Sequence, residues 1–145
     1  RRLTACLPSN SPPQRLLFTA YFEHFSLAIP ILPALLPEVW LYWDPKTVRE
    51  RGRDALLRFR MDFLLLLPGG ARVVVEVDGR QHYADDQGTA SPAVYAKMAA
   101  ADRDLRLAGY DVFRFGAAEL QGEAGKSAVN SFFDGLFRRY GIAIS

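Results

Sequence analysis

The sequence predicts an α/β domain: a central mixed sheet of about four strands flanked by helices, in the order helix, three strands, helix, strand, helix. Three observations predict it. Two Leu- and Val-rich runs between Arg58 and Tyr83 flank a Pro68-Gly69-Gly70 turn, and near that turn both are apolar on both faces, so helices must cover each side. A helical pattern beginning at Ser91 separates the second run from a further strand, YDVFRF, and a helix crossing between two strands favours parallel pairing with a right-handed connection. Apolar residues recur at helical spacing near both ends of the chain.

The chain of 145 residues is long enough for one domain with a core. With 50% hydrophobic and 23% charged residues it has the composition of an ordinary globular protein, and a net charge of +2 says little about partners. Arginines cluster instead, at Arg49, Arg51, Arg53, Arg58 and Arg60 and again at Arg103, Arg106, Arg138 and Arg139. A single cysteine, Cys6, allows no internal disulfide, and with only His24 and His82 there is no zinc framework of the Cys/His kind. These features, with no evident signal peptide, point to a reducing, cytoplasmic setting. The opening Arg1 raises the expectation of attachment to a larger polypeptide. No internal repeat or low-complexity segment is present.

Residues 1–10 read as a flexible arm and residues 11–145 as a single domain. Ser11 followed by Pro12 is a helix start, and Leu16, Leu17, Ala20, Tyr21, His24 and Phe25 carry the first helix from Pro12 to Phe25. His24 on that stripe reads as a packed or capping histidine. From Phe25 to Trp43 the chain is nearly uncharged, which raises the question of a membrane span. Pro30, Pro33, Pro37 and Glu38 argue against one, so no membrane partner is expected and the stretch reads as a buried, proline-turned connection into a strand over Val39–Trp43. Trp40, Tyr42 and Trp43 fit core packing better than stacking on bases. The basic loop from Lys46 to Arg53 reads equally as solvated surface or as a phosphate contact.

The hairpin follows. If the turn uses Pro68, Gly69 and Gly70, Leu67 pairs with Ala71, Leu65 faces Val73, Phe63 faces Val75, and Asp62 faces Glu76. Opposed residues share a side of the sheet, with β-carbons about 4.5–5.5 Å apart, and Asp78, two residues beyond Glu76, shares it too. Three carboxylates then converge at one end of an apolar hairpin. Two readings are open at this point: a site for a divalent cation such as Mg²⁺, or the solvated ends of two strands neutralised by Arg58 and Arg60. A loop from Gly79 to Pro92 carries His82, Asp85 and Asp86. The second helix runs from Ser91-Pro92 to Ala108, with Val94, Met98, Ala101, Leu105 and Ala108 on its sheet-facing side, and Gly109 ends it. The strand Tyr110–Phe115 and a last helix over Lys126–Tyr140, apolar at Val129, Phe132, Phe133, Leu136 and Phe137, complete the domain.

Four motifs in this order resemble the PD-(D/E)XK nuclease superfamily, in particular its very-short-patch repair endonuclease-like branch and related small bacterial domains. They are Arg60-Met61-Asp62-Phe63, Glu76-Val77-Asp78-Gly79-Arg80-Gln81-His82, Asp102-Arg103-Asp104, and Gly109-Tyr110-Asp111-Val112-Phe113-Arg114-Phe115, and the likeness spans most of Pro12–Leu120. The resemblance implies a restriction-endonuclease-like core and a divalent-metal-dependent nuclease, endonuclease rather than exonuclease, acting on DNA. It implies that Asp62 and Glu76, with the Val77 carbonyl, hold Mg²⁺, for which Mn²⁺ substitutes. His82 is then the candidate general base or proton shuttle, or else a loop residue hydrogen-bonded to Asp78. Arg60, Arg80 and Arg103 read equally as phosphate contacts or as solvated surface charges.

The sequence also departs from the superfamily. Its lysine position falls on Asp78, which joins the metal shell or holds His82, while Lys97 on the second helix is the candidate for the missing positive charge. Gln14 stands where relatives often carry a glutamate on the first helix. The zinc site of mismatch-repair members is absent, so their repair role does not carry over. Two alternatives therefore stand beside the nuclease: a catalytically inactive nucleic-acid-binding module that keeps the fold, and a protein-interaction or homodimerisation domain using the Trp40–Trp43 strand or the last helix.

Overall fold

The computed structural model describes residues 2–40, 60–79 and 91–144. Tyr42, Trp43, the Lys46–Arg53 loop, Arg58, Arg80, His82, Asp85 and Asp86 lie outside the described residues. The protein is a mixed α/β fold with a four-stranded mixed sheet and, among the described residues, three α-helices: α1 (Pro12–His24), β1 (Leu35–Trp40), β2 (Arg60–Leu66), β3 (Arg72–Asp78), α2 (Pro92–Leu107), β4 (Tyr110–Gly116) and α3 (Gly122–Arg139). The strands lie in chain order, β1-β2-β3-β4. The first two pairings are antiparallel and the β3–β4 pairing, across the α2 crossover, is parallel.

Helices cover both faces because the central strands are apolar on both. Phe63, Leu65, Val73, Val75, Val77 and Phe115 pack with Leu17 and Tyr21 of α1 and Phe133 and Phe137 of α3. On the other face Met61, Leu64, Val74 and Val112 meet Leu105 of α2. That second layer is thin: Leu105 is buried, while Val94, Met98, Ala101 and Ala108 are only half-buried. Among the described residues no helix is long and apolar enough to cross a membrane.

Several boundaries depart from the sequence reading. The expected flexible arm carries a 3₁₀ turn over Leu3–Cys6, and Leu7 is buried in the α1/α3 core, because an apolar residue beside an open core edge gains by covering it. The connection expected to be buried is only partly so: Phe25 and Ala28 are buried, whereas Leu27, Ile29 and Ile31 are exposed. Tyr21 fastens it by donating its hydroxyl to the Pro33 carbonyl across 2.6 Å. β1 begins at Leu35, not Val39, and contains Pro37 opposite Phe63. An edge strand tolerates a proline, since one row of its N–H groups has no partner strand. α3 begins at Gly122, four residues before Lys126. The reason is Gly125: a Cβ there would lie 2.8 Å from the Leu120 carbonyl carbon, so a glycine that reads as loop is instead a close helix contact.

Candidate metal centre

The β2–β3 register runs from Leu66 opposite Arg72 to Phe63 opposite Val75, as the turn requires, and then stops. Asp62 and Glu76 do not continue the ladder. The strands exchange side-chain bonds instead. The Val77 N–H donates to Asp62 Oδ2 across 2.8 Å, and the Asp62 N–H favours the charged form of Glu76. Each acid thus answers a main-chain donor of the opposite strand, and both are buried, Asp62 at 5% exposure and Glu76 at 7%.

Side-chain alternation breaks at the same level. Phe63 and Leu65 belong to the α1/α3 core, yet Met61 joins Leu64 on the α2 side. In β1, Leu36 and Val39 both pack on the α2 side. Both strands therefore change phase around Glu38 and Asp62, which the flanking pairs Pro37–Phe63 and Val39–Met61 set against each other. Glu38 carries the break in its backbone, with a left-handed φ of 53° that is unfavourable for any residue with a β-carbon. Burial raises its carboxyl pKa, Arg60 opposes that, and Asp62 adds to it. Glu38 Oε2 stands 3.5 Å from Arg60 Nε, while Oε1 is buried without a hydrogen-bond partner among the described residues.

The expectation that Asp62, Glu76 and Asp78 share one side is corrected by this break. Glu76 and Asp78 alternate with Val75 and Val77 and so belong to the α2 side. Asp62 instead lines a cavity of about 470 Å³ at the start of α1, together with Ser11, Gln14, Arg60, Val77 and Gly79. Asp62 and Glu76 meet at the fork between the strands, not on a common face.

Arg114 brings positive charge to the β3–β4 side of this region. It pairs with Glu76 in the parallel register and completes a row of ionisable residues across all four strands: Glu38, Asp62, Glu76 and Arg114. Its Nη1 donates to Asp78 Oδ1 across 2.6 Å, and its Nε reaches both Asp102 carboxylate oxygens at 3.1 and 3.2 Å. Burial works against its charge, but the Asp102 bond and the Asp78, Asp102 and Glu76 carboxylates outweigh burial and raise its pKa. Glu76 is pushed up to about 8 by burial first and by Asp62 second, with Arg114 opposing.

No family model, curated protein or solved structure matches the chain.

Asp62, Glu76 and the Val77 carbonyl are hard oxygen donors of the kind Mg²⁺ takes. In an antiparallel pair a residue's N–H and C=O point to the same edge, so the Val77 carbonyl shares the Asp62 side of its strand. Gln14 is buried at 5% exposure, and its Oε1 has no hydrogen-bond partner among the described residues. Among the described residues no group of three or more His, Cys, Asp or Glu side chains is arranged to hold an ion. Two carboxylates and a carbonyl leave the remaining positions to water, an arrangement that suits Mg²⁺, which dehydrates reluctantly. The donor types suit that ion, while Asp62 and Glu76 stand on different faces of the sheet.

The other sequence candidates separate. Lys97 and Arg103 are exposed on α2 and make no ion pair among the described residues, so the positive charge beside Glu76 comes from Arg114 rather than Lys97. Arg60 borders the cavity. His24 bonds Asp134 across 2.9 Å and ties α1 to α3. Sequence reasoning assigned no role to Glu38, Asp102 or Arg114. The available signals were a lone carboxylate in an uncharged stretch and an arginine between aromatics in a buried strand, each of which demands a partner.

Proposed function

We propose that the chain is a divalent-metal-dependent nuclease domain with a restriction-endonuclease-like core, hydrolysing phosphodiester bonds with DNA as the expected substrate. The observation that carries this reading is the fork: two buried carboxylates, Asp62 and Glu76, take main-chain donors from each other's strands, and Asp62 lines a cavity at the start of α1. Burying like charges together is costly without a cation to share them.

Asp62, Glu76 and the Val77 carbonyl would hold Mg²⁺ or Mn²⁺. Such an ion, when bound, makes water a nucleophile near neutral pH and offsets charge on the scissile phosphate. The chain's own residues do the rest. The Val77 N–H fixes the Asp62 carboxylate, and the Asp62 N–H and Arg114 favour ionised Glu76. Arg60 at the cavity rim, with Arg80 and Arg103, takes the phosphates flanking the scissile bond. His82 is the proposed proton acceptor.

The test is cleavage of plasmid DNA with Mg²⁺ or Mn²⁺ by the parent protein, Asp62→Ala and Glu76→Ala. Cleavage by the parent alone supports the reading. An inert parent across several metals and substrates overturns it.

A second reading is favoured by a specific pair of residues: Asp78 is engaged by Arg114, and Gln14 offers an amide in place of a carboxylate. Under this reading the domain binds nucleic acid without cutting it, with salt-dependent affinity that Asp62→Ala leaves intact.

A further inference from the structure

The connection between α1 and β1 displays apolar side chains on a fixed backbone. Leu27 is 98% exposed, Ile31 64% and Ile29 54%. The main chain that carries them is nonetheless held. The Ala28 N–H donates to the Phe25 carbonyl across 2.9 Å, the Ile31 N–H to the Ala28 carbonyl across 3.0 Å, and the Tyr21 hydroxyl to the Pro33 carbonyl. Beside this display lies an open groove of about 680 Å³, whose apolar wall is Leu3, Phe18, Phe22 and Ile29. Its lining carries one cation, Arg2, and one anion, Glu23. Leu27 stands in the chain between two groove residues, Ser26 and Ile29, so knob and groove share one surface.

Exposed apolar side chains clustered beside an apolar groove mark an interaction site, and the charge around them decides what it takes. A nucleic acid or an anionic membrane asks for a net positive rim, and a charged peptide for a rim of the opposite sign. The rim here is balanced. Lys126 stands 3.6 Å from Glu23 and 3.5 Å from Glu123, while Arg2 makes no ion pair among the described residues. A surface that carries a knob, a groove, a cation and an anion is complementary to itself. A two-fold contact requires that, since in it residue i meets j and j meets i.

We infer that this surface docks a second copy of the chain: Leu27 of each copy enters the groove of the other, and Arg2 of each meets Glu23 of the other. Apolar burial supplies the affinity. Exposed ion pairs contribute little to it, so the two charge pairs set the orientation. Because the connection is already ordered, docking costs little conformational freedom. The contact is independent of the nuclease reading: on α1 the groove begins at Phe18, beyond the Pro13 and Gln14 that line the Asp62 cavity.

The test is sedimentation velocity on the full chain across rising concentration, with a reductant present because Cys6 is exposed. The parent passes from monomer to dimer. Leu27→Asp, at a side chain open to solvent, keeps the parent's circular dichroism and weakens dimerisation roughly tenfold or more. Arg2→Glu and Glu23→Lys each weaken it by about three- to tenfold. An equimolar mixture of those two variants recovers the parent's dimer, because the mixed pair again sets opposite charges together at both contacts. Structural damage cannot produce that recovery. A parent that stays monomeric at every concentration overturns the inference, and if it then sediments with phosphatidylcholine vesicles the groove is a lipid site instead. A dimer that Leu27→Asp leaves intact also overturns it and assigns the contact to another face. So does a mixture that associates no better than its components. Should either charge variant fail to fold, Leu27→Asp alone decides.

Discussion

The Val77 main-chain N–H donates to the Asp62 carboxylate across 2.8 Å, closing the gap between β2 and β3 where their ladder has ended. A side chain here does the work of a ladder carbonyl. The acid is thereby held by the fold before any ligand arrives, and its chemistry and its contribution to stability become separable.

Asp62→Ala leaves a buried N–H unsatisfied, which costs about 1–3 kcal/mol, offset in part by relief of the repulsion with Glu76. Asp62→Asn keeps an acceptor for Val77 and is expected to unfold close to the parent. Urea denaturation without metal should rank the parent and Asp62→Asn together, above Asp62→Ala. Both variants are expected to lose nuclease activity, since an amide is a poor ligand for a hard cation.

Glu76 makes metal-free stability depend on pH. Its folded pKa, about 8, lies above the ordinary value of 4.5, so between these the folded state binds more protons than the unfolded one. The contribution is fully present below pH 4.5 and is lost as pH rises through about 8. The difference in unfolding free energy between the parent and Glu76→Gln should therefore shift against the parent as pH rises through that window. Added Mg²⁺ should reverse the shift by binding the ionised form. A difference independent of pH would refute the account.

Glu38 is strained where it stands, with its left-handed φ of 53° and a buried oxygen without a partner among the described residues. Glu38→Gly removes both costs and is expected to stabilise the protein by about 1 kcal/mol. Glu38→Gln keeps the backbone cost and should gain less. Thermal unfolding of the two variants distinguishes backbone relief from loss of charge.

Two glycines of α3 should respond in opposite ways. Gly125→Ala places a methyl against the Leu120 backbone and is expected to cost roughly 1–3 kcal/mol. Gly135 has open space around its Cβ position, so Gly135→Ala should stabilise by about 0.5–1 kcal/mol. Denaturant midpoints measure both.

Much of the fold is legible along the chain because its determinants are local. Pro68-Gly69-Gly70 fixes the turn, and the turn fixes the register from Leu66–Arg72 to Phe63–Val75. Ser91 caps α2 by accepting from the Val94 N–H, as its sequence position implies. The candidate site is less legible. Counting outward from the turn sets Asp62 against Glu76 but misses that the strands have parted by then. Nothing in the letters around Glu38 announces a left-handed backbone, because a strand-like pattern does not encode the phase change that only its neighbour β2 makes favourable.

The sequence by itself determined the order of elements, the hairpin register near its turn and the presence of acids at its far end, all consequences of short-range periodicity and turn chemistry. The tertiary structure alone decided which acids stand together. It brings Glu38 from β1 beside Asp62, and Arg114 from β4 beside Glu76, and it commits Asp78 and Asp102 to one guanidinium. The physical reason is range: charges on strands separated by a whole helical crossover meet only once the sheet has formed, and their energies depend on burial and distance that no local pattern contains.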